Sequence, residues 1–312
     1  MTGIEKQKIL LPSPQLTPQM IIGVLGPEGS YSEKAAQIWI MKHRLDNVKV
    51  HYFADIEDAF LAVVQGKSDL SIVPIENSIE GSVGVTLDLL LENGVEIVGE
   101  IVVKIEHCLL SKGGPEKIKV ILSHPQGLAQ CRHFLKKYFP EAELRSTGST
   151  SHAARLAGEF EEMAAIASPE AAECYRLKVL LPNIQDRKEN YTRFIALQTT
   201  GKNPAEQVLC ATEDKPNKSE NSSRSAFKTS IIVYLEKDRP GALYEILGAF
   251  AKNKINLTRI ESRPSKKELG DYYFYIDFEG HTSDALIKET LKDIKNKTDT
   301  LKIVGSYPAF KT

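Results

Sequence analysis

From Met20 to about Gln198, short apolar runs alternate with segments in which apolar residues recur at three-and-four spacing. The short runs IIGVLG, VKVHYF, DLSIVPI, VEIVGEIVV, KVILSH, AAIAS and TRFIAL are rich in β-branched residues and are predicted strands. Between them, YSEKAAQIWIMKH, DIEDAFLAVVQG, LAQCRHFLKKYF and SHAARLAGEF each present one apolar face and are predicted helices. This alternation predicts an α/β region on a mostly parallel sheet, with helices on both faces.

The periodicity stops in TTGKNPAEQVLCATEDKPNKSENSSRSAFK, where polar and charged residues, prolines and a Ser/Asn cluster take over. Residues 199–228 therefore read as a linker between independent units, and it exceeds the loops that normally join compact elements. Beyond it, TSIIVYLEK, PGALYEILGAFAKNK, INLTRIESRP, DYYFYIDFEG, SDALIKETLKDIKN and LKIVGSYPAF predict strand, helix, strand, strand, helix, strand. That βαββαβ order over 229–312 is a ferredoxin-like unit, with Pro240 expected in the first turn of its first helix. At the other end, residues 1–19 are broken by Pro12, Pro14 and Pro18 before any signal-like apolar stretch forms, so a flexible tail is expected.

A length of 312 residues favours two or three compact units. With 42% hydrophobic residues, 26% charged residues and a net charge of -1, the chain has an ordinary globular composition; neither nucleic acid nor a membrane surface is expected as partner. No stretch reaches the roughly 20 apolar residues of a membrane-spanning helix. Cys108, Cys131, Cys174 and Cys210 stand far apart and the histidines do not cluster, so reduced thiols, a cytoplasmic location and no metal are expected.

Candidate chemistry gathers where predicted strands hand over to helices, because ligands of open α/β sheets bind beyond the carboxyl ends of strands. Gly26-Pro27-Glu28-Gly29-Ser30-Tyr31-Ser32 is either an anion-holding turn at a helix start or a tight turn with Ser32 as N-cap. Pro74-Ile75-Glu76-Asn77-Ser78, followed by Glu80 to Thr86, offers neutral donors in Asn77, Ser78 and Thr86; alternatively Asn77 and Ser78 cap the next helix. Ser123-His124-Pro125-Gln126, with Gln130 one turn on, places a histidine that is either an acid or a hydrogen-bonded turn residue. Ser149-Thr150-Ser151 repeats the theme, again with an ordinary N-cap as the alternative. Asn190-Tyr191-Thr192-Arg193-Phe194 opens the last strand, where alternation sends Thr192 and Arg193 to opposite faces.

Taken together, G-P-x-G-S-x-S, V-P-I-E-N-S, S-H-P-Q, S-T-S-x-A-A and N-x-T-R-F, in this order and spacing, resemble the prephenate dehydratase family across residues 20–198. Gly241-Ala242-Leu243-Tyr244 and Glu261-Ser262-Arg263-Pro264 resemble the regulatory motifs of the ACT domain that accompanies it. The resemblance implies an α/β catalytic region of two subdomains, similar to a type II periplasmic binding protein: about 20–101 plus 180–198, and 102–179. It implies that Thr192 is essential for dehydration and that Asn77, Thr86, Ser123 and Gln130 line the same cleft. The matched motifs also nominate Gly29, Ser30, Ser78, Ser149, Thr150, Arg193 and Phe194 for substrate binding. A phenylalanine effector is expected at the ACT domain, between Gly241, Ala242 and Leu243 on one side and Asn256 with Glu261, Ser262, Arg263 and Pro264 on the other. ACT pairing implies a dimer or tetramer.

Prephenate carries two carboxylates and a ring hydroxyl, and loss of CO2 with the hydroxyl leaves an aromatic product. Positioned hydrogen-bond donors suffice for that elimination, so no cofactor is expected. No helical chorismate mutase domain is expected before the catalytic region. Two alternatives remain: arogenate dehydratase, which performs the same elimination on an amino-acid analogue, and a non-enzymatic small-molecule sensor. The intact N-x-T-R-F motif speaks against the sensor.

Overall fold

The computed structural model describes residues 19–201, 226–235, 240–266 and 271–310; the tail and most of the linker expected above lie outside the described residues. The chain opens with β1 (Met20–Leu25), α1 (Tyr31–Lys42), β2 (Val48–Phe53), α2 (Ile56–Val64), β3 (Leu70–Asn77), the short β4 (Gly81–Ser82), α3 (Gly84–Glu92) and β5 (Val95–Lys104). It then crosses into a second subdomain: β6 (Cys108–Ser111), β7 (Val120–Ser123), α4 (Pro125–Gln130), α5 (Arg132–Tyr138), β8 (Glu143–Ser146), α6 (Thr150–Ala157), β9 (Met163–Ala167), α7 (Pro169–Cys174) and β10 (Lys178–Leu181). It returns as β11 (Tyr191–Thr199).

The first sheet has the order β2-β1-β3-β11-β5, with β4 on β3; the second has the order β10-β6-β9-β7-β8. Both are mixed rather than mostly parallel. Strands β2-β1-β3 and β8-β7-β9 run parallel, whereas β5, β11, β6 and β10, which carry the chain to and from the crossings, pair antiparallel. The crossings fall at residues 105–107 and 182–190, a few residues beyond the expected Val102 and Leu180, because β5 pairs with β11 as far as Lys104 and β10 belongs to the second sheet. Helices cover both faces of the first sheet, as expected. Ala35, Ala36 and Trp39 of α1 pack with Ile22, Ile72 and Phe194 on one face, while Phe60 of α2 and Leu87 and Leu90 of α3 pack with Val73, Ile75 and Ile195 on the other.

Local chemistry sets the helix ends. Ser30, not Ser32, caps α1: its Oγ accepts the Glu33 N–H at 3.3 Å, and the Glu33 carboxylate reaches back past the cap to accept the Gly29 N–H at 2.6 Å. The stretch LAQCRHFLKKYF, expected as one helix, breaks at Cys131. There the Gln130 carbonyl accepts the Asp186 N–H at 2.7 Å, and the Asp186 carboxylate accepts the N–H groups of His133 and Phe134. A long-range contact therefore takes over the hydrogen bonds a continuous helix would make.

The C-terminal unit consists of β12 (Phe227–Tyr234), α8 (Ala242–Lys252), β13 (Leu257–Pro264), β14 (Tyr272–Glu279), α9 (Ala285–Lys295) and β15 (Thr300–Pro308). Its sheet order β13-β14-β12-β15, antiparallel throughout, is the ferredoxin-like arrangement expected. Gly241 caps α8 at φ 87, leaving Pro240 outside the helix rather than in its first turn. Ile246, Phe250, Ile287 and Leu291 from the two helices fill one face of this sheet.

The other face docks on the catalytic region. Ile232, Tyr275, Val304 and Tyr307 share one core with Val73, Ile75, Leu87, Ile97 and Ile195. A Cβ at Gly305 would overlap the Ile97 carbonyl, so glycine is what permits the approach of β15 to β5. Tyr275 Oη donates to the Leu87 carbonyl at 2.9 Å, and Lys302 Nζ donates to the carbonyls of Leu90, Leu91 and Asn93 at the end of α3. The two units expected on either side of the linker therefore meet in one continuous core.

Two outcomes follow. A chain ending at Gln198 should unfold at a lower urea concentration than the full chain and tend to aggregate, since it exposes the apolar face of the first sheet. Equal urea midpoints would show that docking adds no stability. In the full chain, Gly305→Ala should destabilise by about 1–3 kcal/mol, read from the same denaturation curve.

Candidate active site

Between the two subdomains lies a cleft of ≈ 230 Å³ lined by Leu25, Gly26, Ser30 to Ser32, His107, His124, Gln126, Gly127, Gln130 and Gly148 to Ser151. It continues into a wider mouth of ≈ 480 Å³ bounded by Pro27, Tyr52, Phe53, His152 and Arg155. The starts of α1 and α6 both border the cleft, so two positive helix ends favour an anion in it. Across the opposite rim the subdomains touch: Ser168 Oγ donates to the Gly29 carbonyl at 3.0 Å, Tyr175 Oη to the Glu28 carbonyl at 2.9 Å, and Lys34 pairs with Glu170 at 2.6 Å. Gly29 has φ +77, and a Cβ on it would lie 3.0 Å from the Ala171 Cα, so both its conformation and this approach require glycine.

Beside the crossings, a chain of amides has its direction set by chemistry. Asn77 Oδ1 accepts the backbone N–H groups of Ile79 and Glu80, each at 3.0 Å. Those groups only donate, so the Asn77 NH2 must face the other way, where it donates to Thr192 Oγ1 and Asn190 Oδ1, both at 2.9 Å. Asn190 Nδ2 in turn donates to Gln130 Oε1 at 2.9 Å, and the same oxygen lies 2.9 Å from His107 Nε2. An amide oxygen only accepts, which puts the His107 proton on Nε2 and leaves Nδ1 a buried acceptor with no partner. Burial lowers the His107 pKa, against the raising effect of its Gln130 bond, so the ring is neutral at pH 7. Burial also holds the Tyr31 phenol, at the cleft wall, well above its ordinary pKa; it stays a donor, to the Glu106 carbonyl.

The structure thus brings Thr192, Asn77 and Gln130 into one network, and places Ser30, Ser149 and Thr150 on the cleft wall. Ser149 also caps α6 by accepting the His152 N–H at 3.0 Å, and His124 Nδ1 accepts the Gln126 N–H, so both capping alternatives hold as well. Asn77 and Ser78 do not cap α3, which starts at Gly84. Ser78 Oγ instead accepts the Tyr191 N–H at 2.9 Å and holds β11 against the turn.

Several expected residues do not reach the cleft. The Thr86 hydroxyl is fully buried and donates to the Pro74 carbonyl at 2.7 Å; the Ser123 hydroxyl is equally buried and donates to the Ile166 carbonyl at 2.7 Å. Each closes off a strand end rather than facing a ligand. Phe194 belongs to the core under α1, and Arg193 points to the docked C-terminal sheet, where it meets Asp277. The Gly29 N–H is taken by Glu33. In the C-terminal unit, Glu261 and Arg263 likewise turn inward. Glu261 accepts from Ser82 at 2.8 Å and Arg263 pairs with Asp88 at 3.1 Å, while Ser262 and Pro264 face outward from the edge strand β13. Gly241, Ala242, Leu243 and Asn256 lie at the start of α8 and just before β13, and among the described residues nothing lies within 4 Å of where a Cβ on Gly241 would stand.

Sequence reasoning left His107 and Asn190 out of the site set. Asn190 stood inside N-x-T-R-F and was within reach of it. His107 precedes CLLS, a short, wholly buried strand that shows no alternation, so nothing local marked it. Among the described residues no group of three or more His, Cys, Asp or Glu is placed to hold a metal ion, and no helix is long and apolar enough to cross a membrane.

Comparison with known proteins bears on this geometry. The family described as prephenate dehydratase matches residues 22–202, and the ACT domain matches residues 229–296. A prephenate dehydratase of Methanocaldococcus jannaschii is 42% identical over 287 residues, covering 91% of this chain and 96% of that protein. The crystal structure of a prephenate dehydratase from Arthrobacter aurescens in complex with L-Phe superposes with a TM-score of 0.77 at 31% identity, covering 93% of this chain and 90% of that one. A structure described as GqqA, a novel type of quorum quenching acylases, superposes with a TM-score of 0.76 at 28% identity, covering 93% and 98%. The motifs, the two-lobed cleft, the docked ferredoxin-like unit and these matches agree: the chain belongs to the prephenate dehydratase family and carries a C-terminal ACT domain.

Proposed function

We propose that this protein is a carbon–oxygen lyase that converts prephenate to phenylpyruvate, CO2 and water in phenylalanine biosynthesis, and that phenylalanine inhibits it through the ACT domain. The observation that carries the reading is the direction of the Asn77–Thr192 bond. Because Thr192 Oγ1 accepts from the Asn77 amide, its own proton is left as a donor. The departing carboxylate's C–C bond supplies the electron pair that aromatises the ring and expels the hydroxyl. Thr192 donates to that leaving oxygen, and the Asn77 amide stabilises the charge shared between them. The helix starts at Ser30 and Ser149 suit the substrate's carboxylates.

The likeness to a structure described as an acylase is a likeness of fold. Acyl transfer by a hydroxyl needs a base to take its proton, and the group bonded to Thr192 here is a donor amide. Elimination is therefore the better use of this threonine. Arogenate differs from prephenate only in its side chain, and assaying both substrates separates the two dehydratase readings.

The effector reading rests on the outer surface of the ACT domain. Gly241 in the left-handed region opens α8, and no described residue lies within 4 Å of where its Cβ would stand, which suits the approach of an amino-acid carboxylate. Since Glu261 and Arg263 are engaged inward, the outer wall is left to Asn256, Ser262 and Pro264. Edge strand β13, with Ile260 exposed, and the exposed Tyr244 on α8 offer a surface for self-association into a dimer or tetramer. A cytoplasmic location fits the free thiols Cys108, Cys131 and Cys174; Cys210 lies outside the described residues.

Incubating the protein with prephenate should produce phenylpyruvate absorbance; a protein inert toward prephenate would sink this reading. Thr192→Ala should lower turnover by about 10²–10³ while leaving the fold intact, and Thr192→Ser should retain appreciable activity because the hydroxyl remains. Equal inactivation by both would mean that the methyl packs rather than the hydroxyl donates. Gly241→Val places a β-branched residue at positive φ and should abolish phenylalanine inhibition with turnover little changed in its absence. Simple competition between phenylalanine and prephenate would move the effector to the cleft.

A further inference from the structure

Arg193 follows Thr192 in the chain, yet its side chain leaves the cleft for the face covered by the ACT sheet. There it meets three carboxylates from three strands: Asp277 of β14 at 2.7 Å, Glu100 of β5 at 3.2 Å and Glu76 of β3 at 3.2 Å. Glu76 in turn precedes Asn77. The ladder between β3 and β11 sets Thr192 opposite Asn77 and Arg193 opposite Glu76, so the donor pair and the clasped pair are adjacent rungs on the same two strands. Immediately after them the register shifts, between Arg193 and Phe194. That irregularity breaks the ladder only toward β3, since β5 pairs with both rungs in unbroken register; how they sit against β3 is therefore open to side-chain contacts.

The strongest of those contacts comes from the ACT domain. Asp277 is buried, with one oxygen taken by Ser230 Oγ at 2.7 Å and the other by Arg193 at 2.7 Å. Arg259 of β13 adds a second ACT contact, reaching Ser82 Oγ at 2.7 Å on the strand paired with Glu76. We propose that Asp277, acting through Arg193, is a positioning residue for the Asn77–Thr192 donor, so that displacement of the ACT sheet changes turnover by moving this donor. The proposal rests on the role given above to Thr192. The alternative is a cluster that only joins two domains, and it predicts stability effects without kinetic ones.

Three variants of the full chain separate these. Asp277→Asn keeps the volume but removes the charge facing Arg193; it should lower kcat at least about tenfold with KM for prephenate little changed. Ser230→Ala removes the second partner of Asp277, together with a 2.8 Å contact to Tyr307 Oη, and leaves Arg193 itself untouched; it should lower kcat by about threefold. Lys228→Met breaks the 2.8 Å contacts to Glu100 in the same cluster without touching Arg193, and should leave kcat unaltered even where it lowers the melting temperature. In parallel, amide hydrogen exchange over residues 190–195 should quicken in the first two variants and not in the third. Unaltered kcat and exchange in Asp277→Asn and Ser230→Ala, or equal effects in Lys228→Met, would overturn the proposal. If Asp277→Asn does not fold, Ser230→Ala decides. If wild-type protein is inert toward prephenate, the functional reading falls by itself, and the exchange comparison still decides whether Asp277 positions the Thr192 rung.

Discussion

The contact on which the rest of the molecule depends is the buried charge cluster between the catalytic sheet and the ACT sheet. The catalytic sheet contributes Glu76, Glu100 and Arg193; the ACT sheet contributes Lys228, Arg259 and Asp277, so the carboxylates and cations balance. Burial by itself would lower the Arg193 pKa, but Asp277, Glu100 and Glu76 carry it above its ordinary value. Burial would likewise raise Asp277, and the neighbouring Arg193 and Arg259 hold it below the usual carboxylate range. Each charge is tolerable only because the others are present, and deleting one partner of such a cluster typically costs about 3–5 kcal/mol. A carboxyl whose folded pKa is depressed contributes stability above its unfolded value of about 3.9 and loses it as pH falls further. Docking of the ACT domain is therefore acid-labile below that value.

A second polar system governs the cleft. Its chain of amides runs from Asn77 in the first subdomain, through Asn190 and His107 at the crossings, to Gln130 in the second. Both crossing segments are also tied to each other, the Ile105 N–H to the Asn190 carbonyl and the Ile184 N–H to the His107 carbonyl, each at 2.8 Å. The Thr192 donor thus sits where the two subdomains and the ACT-facing strand meet. Separating the lobes would leave further buried donors and acceptors of this network unpaired, which ties the orientation of Thr192 to their approach.

Much of the architecture was legible in the chain. The 3.6 periodicity found α1, α2 and α6, each with one face to bury, and continuous apolar runs found β3, β5 and β11, which are buried on both faces. The βαββαβ order of the ACT domain was legible for the same reason. The strands CLLS, ELRS and KVLL and the helix PEAAEC escaped because they are too short to complete a period. The helix break at Cys131 escaped because Asp186, more than fifty residues away, makes it.

The site divides along the same line. Sequence alone determined that the polar motifs lie at strand ends and that Thr192 and Arg193 point to opposite faces, since these follow from local geometry. Only the tertiary structure decided which hydroxyls are free. Thr86 in the first turn of α3, Ser123 at the end of β7 and Thr192 at the start of β11 are all hydroxyls of the polar motifs, yet the first two donate to backbone carbonyls, while the third accepts from Asn77 and keeps its proton. It also brought Arg193, Glu261 and Arg263 to partners across the interface between domains. A hydrogen bond has a donor and an acceptor, and which role a side chain takes is set by partners that the fold brings from far along the chain.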